Sequence, residues 1–210
     1  MIDAALTEDP SLAQTKPVAA EPPLRAATAA DLDPIHARLI EAIQGSSHYS
    51  DEFKAYETAR LSKSWLAALY EADPWHVAVM QLKGETAGFM ISGPELGTLW
   101  LYWSYVFPER RRSGMALLAM RNFLSHWDNG RFHKVSTYTR PGNDAAAAIM
   151  ERFGWKLTAV LARHIFGEDY LLYEHMLTKR VPGYDRGAKL GRLAQLRRGV
   201  TRLFRLSRAA

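Results

Sequence analysis

Residues 98–116 read TLWLYWSYVFPERRRSGMA, and the local pattern of this segment is the clearest indication of the fold. Its first nine residues place bulky side chains on both faces of an extended chain, which predicts a strand in the interior of a sheet. Pro108 ends the strand, and a helix is predicted from Gly114 to about Trp127. The helix prediction rests on apolar residues spaced by three and four: Leu117, Met120, Leu124 and Trp127. A buried strand therefore leads through a short loop directly into an amphipathic helix.

The loop between this strand and helix has the composition of an anion site. A helix N-terminus leaves about four N–H groups unpaired and carries a partial positive charge, which suits a phosphate or pyrophosphate. Gly114 lets the backbone approach an anion closely, and Ala116 keeps the next position small. The three arginines of 110–112 add positive charge. From the residues alone, two interpretations stay open: a phosphate-binding loop or a solvated basic loop.

The pattern on either side of this unit predicts a mixed sheet. Strands are predicted at 24–28, 75–82, 86–92, 134–140, 155–166 and 170–177, and helices over about 28–43, 50–72 and 144–153. The strand–helix–strand connection through 114–130 favours a parallel pair, whereas the short turns elsewhere favour antiparallel pairing. The predicted order is β-α-α-β-β-β-α-β-α-β-β.

Composition excludes several classes of site and of protein. The chain has no cysteine, which excludes a disulfide framework, a thiolate zinc site, an iron–sulfur cluster and a cysteine nucleophile. The seven histidines show no metal-ligand spacing. The apolar stretches are shorter than the ~20 residues of a membrane-spanning helix. A cytoplasmic protein is the default expectation.

The two ends of the chain differ from its centre. Residues 1–23, rich in Ala, Thr and Pro, predict a flexible leader. Residues 178–210 hold ten basic side chains and one acid, a net charge of +9, against −4 for the rest of the chain. Their leucines recur at near-helical spacing between arginines, which predicts a basic amphipathic helix. Three interpretations of 186–208 stay open: attachment to an anionic membrane surface, contact with nucleic acid, or a solvated or self-packing tail that docks on its own domain or on another subunit.

Two segments of the sequence resemble a known family. Residues 106–116, with Arg111 followed by x-x-Gly114-x-Ala116, resemble the acyl-CoA signature of the GNAT N-acyltransferases. Residues 143–155, an asparagine, a small-residue helix and Gly-Trp, resemble the second signature of that family. The order of the elements over 24–177 is also similar. The resemblance implies an α/β fold with a mixed, mostly antiparallel sheet of six to seven strands, a splayed parallel pair, and helices on both faces.

The resemblance also implies how acetyl-CoA, as cosubstrate, would bind. The pyrophosphate would lie on the loop and the first turn of the helix, and the pantetheine arm would pair with the backbone of the preceding strand. Asn143 would reach the cofactor from the far side of the gap, although the same residue is a plain helix cap in the alternative interpretation. The cofactor-binding residues implied in this way are Tyr105, Val106, Arg111, Arg112, Ser113, Gly114, Met115, Ala116 and Asn143. No metal is implied.

The catalytic positions of the family are not matched. The position of its frequent carboxylate base is Trp100, and that of its frequent tyrosine acid is Met150. Simple alternation places Tyr102 and Ser104 on one face of the strand, where they are candidate catalytic residues that hold a water chain to the amine. Glu174 and His175 are more remote candidate bases. No residue of the linker 45–50, which would touch the acceptor, names a substrate.

Two functions remain open at this stage. The first is transfer of an acetyl or related acyl group from acyl-CoA directly to a primary amine of a small molecule or protein. The second is an inactive relative with the same fold, a binding or structural module anchored through its basic tail to a membrane, nucleic acid or a partner. The tail also allows peripheral membrane attachment of a cytoplasmic protein. The oligomeric state is left open.

Overall fold

A computed structural model describes residues 22–179 of the chain. Seven strands form one sheet, and their bounds are Leu24–Ala26 (β1), Val77–Leu82 (β2), Glu85–Glu95 (β3), Thr98–Val106 (β4), Lys134–Thr139 (β5), Lys156–Ile165 (β6) and Glu168–Met176 (β7). The strands lie side by side in the order β1-β2-β3-β4-β5-β7-β6. The strand of the opening motif, β4, is therefore the middle one of the seven, and the prediction of an interior strand is confirmed.

Five α-helices connect the strands: Leu32–Gln44 (α1), Asp51–Arg60 (α2), Lys63–Ala72 (α3), Met115–Trp127 (α4) and Asp144–Arg152 (α5). The prediction of one continuous helix over 50–72 is wrong, because the chain breaks between α2 and α3. Ser62 caps the N-terminus of α3, because its hydroxyl accepts from the Trp65 N–H at 3.3 Å. Leu61 leaves helical geometry there and is completely buried. Burial of that leucine and a serine cap together favour two short helices.

The sheet is mixed, with one parallel pair. β4 pairs antiparallel with β3 along its whole length, but it pairs parallel with β5 only from Thr98 to Trp100. Beyond Trp100 the two strands diverge. All other neighbouring strands are antiparallel. The predicted fold class, a mostly antiparallel sheet with a splayed parallel pair, is confirmed.

Two apolar cores hold the helices on opposite faces of the sheet. One core joins α4 and α5 to the sheet through residues such as Phe123, Trp127 and Met150. The other joins α1 and α3 through Leu39 and Leu66. A fully buried leucine or phenylalanine side chain stabilises the fold by about 1.5–3 kcal/mol, so these faces fix the helices on the sheet.

The predicted ends of the chain fall almost entirely outside the described residues. These are the leader, apart from 22 and 23, and the basic helix with its proposed contact region 186–208. The described part ends beyond β7, where the Asp128 carboxylate accepts from the N–H groups of Thr178 and Lys179, each at 2.8 Å. Within residues 22–179, none of the helices combines the length and apolar character that crossing a bilayer requires.

Candidate active site

The divergence of β4 from β5 leaves one edge of β4 open. The Phe107 N–H donates to the Ala87 carbonyl of β3 at 2.9 Å, which fixes the direction of the backbone at the end of β4. Because main-chain groups alternate along a strand, the N–H groups of Ser104 and Val106 point the other way, toward β5. β5 is not paired with β4 at that level. The gap therefore offers main-chain donors and acceptors to an extended ligand.

A bulge at Tyr102 separates the two halves of β4. Ile91 of β3 pairs with Trp103, and the next residue, Ser92, pairs with Leu101, so Tyr102 is an extra residue without a partner on β3. A bulge of this kind shifts the side-chain alternation by one position. The side chains of Tyr102 and Trp103 consequently pack toward the α1–α3 core.

The bulge corrects the prediction that Tyr102 and Ser104 share a face. Ser104 pairs with Met90, whose side chain belongs to the α4–α5 core, and side chains of paired residues lie on the same face. The two candidate catalytic residues therefore point to opposite sides of the sheet, and the predicted water chain through both is wrong. A catalytic role for either residue alone stays a prediction.

The loop before α4 keeps its donors available. Arg112 and Gly114 both have left-handed backbone geometry, with φ of 63° and 78°. The Ser113 hydroxyl donates to the Arg110 carbonyl at 2.7 Å and accepts from the Met115 N–H at 3.3 Å. Within residues 22–179 no acceptor is present for the N–H groups of Gly114 and Ala116. One predicted donor, that of Met115, is thus capped inside the loop, and its neighbours are not.

The arginines of the loop have different surroundings. Arg110 forms an ion pair with Glu85 on β3, so its charge is compensated. The Arg111 guanidinium lies 5.7 Å from the ring centroid of Tyr105. Arg112 is exposed and has no ion pair within the described part of the chain. The positive charge available to an anion comes from Arg111 and Arg112.

Two other predicted cofactor residues have structural roles of their own. Asn143 caps α5 by accepting from the Ala146 N–H at 3.3 Å, so the capping interpretation is confirmed, and its amide NH₂ remains free to donate. The main chain of Tyr105 faces β3 rather than the gap, and its ring packs against Phe89 at 5.8 Å between centroids. Cofactor contact by Tyr105 would thus involve only its ring.

An aromatic cavity of about 330 Å³ lies beside the diverging strands. Helix α2 and the residue Tyr49 before it form one wall, and the sheet forms the other. The residues that line it are Tyr49, Phe53, Tyr56, Glu57, Arg60, Glu95, Trp100, Leu101, Tyr102, Trp103, Tyr138, Ile165 and Tyr170. Tyr102 of the candidate catalytic pair lines this cavity, and Ser104 does not.

A buried ion pair in the cavity was not predicted. Glu57 is only 5% exposed, and its carboxylate accepts from the Arg60 guanidinium at 2.7 and 2.8 Å. The Trp103 indole N–H donates to the same carboxylate at 2.9 Å, which joins α2 to β4. Sequence offered one signal, the spacing of three between Glu57 and Arg60 on a helix. It could not show that the pair is buried against β4.

Two tyrosines beside this pair, Tyr49 and Tyr102, remain protonated at neutral pH. Burial, and then the Glu57 carboxylate, raise the pKa of Tyr49 to about 12. Burial also raises the pKa of Tyr102 above its ordinary value of 10.0, and the Glu95 carboxylate acts in the same direction. A phenol with a raised pKa donates hydrogen bonds but does not accept a proton from an amine at neutral pH.

Arg140, at the end of β5, holds the rim of the cavity together. Its guanidinium donates to the His48 carbonyl at 3.2 Å and to the Asp169 carbonyl at 2.7 Å. It also pairs with the Glu168 carboxylate and lies 5.1 Å from the ring centroid of Tyr170. The α1–α2 linker and the β6–β7 hairpin are thus attached to one side chain.

The candidate bases Glu174 and His175 lie outside the cavity lining, as does Met150, whereas Trp100 is part of it. Met150 is packed in the α4–α5 core and is 7% exposed. Glu174 is tied to Lys134 and to the Ser136 hydroxyl, and His175 packs against Trp155. Trp100 does reach the cavity, where its ring lies 4.9 Å from that of Tyr138. Within residues 22–179 no cluster of acidic and histidine side chains is suited to hold a metal ion.

Comparison with known proteins agrees with this geometry. An acetyltransferase (GNAT) domain profile matches residues 23–156. A phosphinothricin acetyltransferase of the GNAT superfamily from Sinorhizobium meliloti, solved with acetyl-CoA, aligns with a TM-score of 0.62 at 17% identity over 79% of this chain and 97% of its own.

Two further solved structures share the fold. A ribosomal-protein-alanine N-acetyltransferase from Brucella melitensis aligns with a TM-score of 0.61 at 22% identity, over 73% of this chain and 99% of its own. An N-acetyltransferase from Staphylococcus aureus gives 0.60 at 18%, over 74% and 98%. No curated protein gives a significant sequence match. Because the profile covers well over half of the chain, the protein belongs to the GNAT acetyltransferase family.

Proposed function

We propose that the protein transfers an acetyl or related acyl group from acyl-CoA directly to a primary amine held in the aromatic cavity. One observation supports this most strongly. The open edge of β4 at Ser104 and Val106 continues at one end into the unpaired N–H groups of the Gly114 loop, and at the other end toward the cavity at Tyr102 and Trp103. The acyl-CoA and the amine that accepts its acyl group can therefore meet along a single strand.

The residues of the loop fit a pyrophosphate. The N–H groups of Gly114 and Ala116 lack internal acceptors, and Arg111 and Arg112 supply positive charge beside them. A Cβ atom built on Gly114 would meet nothing within 4 Å, so the backbone there is open to a close approach. Hydrogen bonds from main-chain N–H groups to an anion are charge-assisted and stronger than neutral ones.

The open edge of β4 would place the acyl carbonyl. When bound, acyl-CoA supplies the thioester; the amine nitrogen forms a bond to its carbonyl carbon, the carbon–sulfur bond breaks, and a proton reaches the leaving sulfur. The N–H groups of Ser104 and Val106 would donate to the carbonyl oxygen and to the pantetheine arm. Donors fixed in position before the reaction stabilise the developing oxyanion without reorganisation.

Deprotonation of the amine is the step with the least help from the chain. For an amine with a pKa of about 10.4, the neutral form costs roughly 4.6 kcal/mol at pH 7. Glu57 is occupied by Arg60 and Trp103, and Tyr102 is a phenol with a raised pKa. Tyr102 is therefore suited to donate a hydrogen bond or a proton, which is the role we propose for it. Ser104 contributes through its main chain.

Thiol release from acetyl-CoA in the presence of a mixed amine panel tests this function. We expect coenzyme A and an N-acetyl amine in equal amounts. Calorimetric titration of acetyl-CoA, run on the same preparation, measures binding separately from turnover. Thiol release without an acylated amine would contradict transfer and indicate hydrolysis.

A second function is favoured by two specific residues. The resemblance to the family implies that Trp100 stands at the position of its frequent carboxylate base and Met150 at that of its frequent tyrosine acid. Trp100 packs against Tyr138, and Met150 is buried in the α4–α5 core. A protein that binds acyl-CoA in the same groove without turnover would fit both. Tight binding of acetyl-CoA with no thiol release from any amine, over pH 6 to about 10, would establish this binding function instead.

A further inference from the structure

The two walls of the cavity are built almost entirely from aromatic rings. On the helix side, the rings of Tyr49 and Phe53 stack with centroids 4.4 Å apart. On the sheet side, the rings of Trp100 and Tyr138 lie 4.9 Å apart. Phe53 connects the walls by approaching Tyr170 at 6.3 Å. A ligand in this space meets aromatic faces on both sides.

The charges of the cavity leave a net negative balance. Glu57 is compensated by Arg60 in a two-point ion pair. Glu95 also lines the cavity, at the end of β3, and has no ion-pair partner among residues 22–179. One carboxylate is therefore available at the rim. Carboxylates and aromatic faces both attract an ammonium group.

The other polar side-chain groups of the lining all belong to aromatic residues. Apart from the three charged residues, the described lining residues offer five tyrosine hydroxyls and the Trp100 indole N–H, since the Trp103 N–H is donated to Glu57, and they include no Asn, Gln, Ser, Thr, His or Lys. An amino sugar or a peptide would bring several hydroxyl or amide groups that need partners when buried. A flat apolar body brings none. The volume of about 330 Å³ is at the small end of the range for ligand cavities.

We infer that the acceptor is a small primary amine carried on an aromatic ring by a short aliphatic arm, with the ring between the aromatic walls and the ammonium group near Glu95 on entry. This inference rests on the proposed function, because it names the class of amine that the same site acylates. Tyr138 and Glu95 are the specificity residues. Neither is among the residues that the resemblance implies for binding acyl-CoA.

A matched pair of amines tests the role of the rings. 2-Phenylethylamine and 2-cyclohexylethylamine have the same arm and nearly the same size, but only the first is aromatic. We expect the wild type to show a kcat/KM about five- to tenfold higher for the aromatic amine. Glucosamine, spermidine and an N-terminal alanine peptide should be at least tenfold poorer than 2-phenylethylamine.

Variants of the two specificity residues separate ring stacking from charge. Tyr138→Leu should lower kcat/KM for 2-phenylethylamine about tenfold and abolish the preference over its cyclohexyl partner, whereas Tyr138→Phe should keep both. Glu95→Gln should raise KM for both amines several-fold with little change in kcat. Glu71→Gln, an exposed carboxylate on α3 outside the cavity lining, serves as the charge control.

Binding of the amine without turnover keeps this inference distinct from the proposed function. With coenzyme A present, 2-phenylethylamine should quench tryptophan fluorescence in the wild type and much less in Tyr138→Leu. If no amine is acylated but this quenching is seen, the proposed function fails and the ligand class stands. If the alanine peptide, spermidine or glucosamine is acylated best, or Tyr138→Leu leaves the amine preference unchanged, the ligand class is overturned and the transferase remains.

Discussion

Replacement of Gly114 by glutamate should weaken the binding of acetyl-CoA by about tenfold or more while leaving the fold intact. Gly114 is the N-cap residue of α4, with φ of 78°, and a Cβ atom there would meet no other atom within 4 Å. A side chain at this position has room but is strained, because left-handed geometry costs an L-residue roughly 1–2 kcal/mol. The new carboxylate would lie over the N–H groups that the pyrophosphate needs.

The Coulomb repulsion between the new carboxylate and the pyrophosphate gives the expected loss of affinity. Two unit charges about 6 Å apart interact by ~0.7 kcal/mol at the dielectric constant of water, so two phosphate charges give about 1.4 kcal/mol. This corresponds to about a tenfold weaker Kd, and the lower dielectric at a protein surface increases the factor. Gly114→Gln has the same size without the charge, so the ratio of its Kd to that of Gly114→Glu isolates the electrostatic part.

Gly154 provides a matched control for the backbone strain. Its φ is 72°, and a Cβ atom there would also meet nothing within 4 Å, but it lies at the end of α5 rather than at the loop. Gly154→Ala and Gly114→Ala should lose similar stability, about 1 kcal/mol, in urea unfolding. Only the variants of Gly114 should change the calorimetric Kd for acetyl-CoA. Equal affinities for wild type and Gly114→Glu would refute the assignment of the pyrophosphate to this loop.

Three further measurements test the cavity and the chemistry. Arg60→Ala leaves the buried Glu57 carboxylate without its cation and should lower the free energy of unfolding by about 3 kcal/mol. The double variant Arg60→Ala with Glu57→Gln should recover part of that loss, and urea unfolding measures both changes. Tyr102→Phe should lower kcat about tenfold or more with little change in the Kd for acetyl-CoA. Ser104→Ala should leave kcat nearly unchanged, because the Ser104 side chain faces away from the cavity. Equal kcat values for both variants and the wild type would show that Tyr102 has no part in the reaction. The pH profile of kcat/KM should rise about tenfold per pH unit up to the pKa of the amine and then level off, because the amine loses its proton without a general base of the protein, and Tyr49, with a pKa of about 12, stays protonated over this range. A plateau reached near pH 7 would instead indicate a general base in the protein.

Local patterns in the sequence were sufficient to predict the main elements. β4 and the helix beginning at Gly114 were placed correctly because a run of aromatic and β-branched residues, a proline and a glycine are strong local signals. The break between α2 and α3 was missed, since apolar residues at helical spacing continue across Leu61. Burial of that side chain in the α1–α3 core, together with the Ser62 cap, decides the geometry there.

The site was predictable to a lesser degree, because two of its features depend on pairing between strands and helices. Alternation along β4 fails at Tyr102, where the register with β3 shifts by one residue, and a bulge leaves no mark in composition. The Glu57 ion pair likewise becomes visible only when α2 lies against Trp103. The loop donors follow from the chain itself at a helix start, although the Ser113 hydroxyl caps one of them, the Met115 N–H, and their contact with an anion stays a prediction.

Arg140 holds the α1–α2 linker and the β6–β7 hairpin on the two sides of the cavity mouth, so these two elements together set the size of the opening. The linker at His48 and the hairpin at Asp169 meet on one guanidinium at the tip of β5, while the loop at Gly114 is held separately by β4 and α4. Insertions or deletions in the linker or in the hairpin would widen or narrow the mouth of the cavity without moving the groove that we propose for acyl-CoA. Acceptor size and donor binding can thus diverge independently in this scaffold.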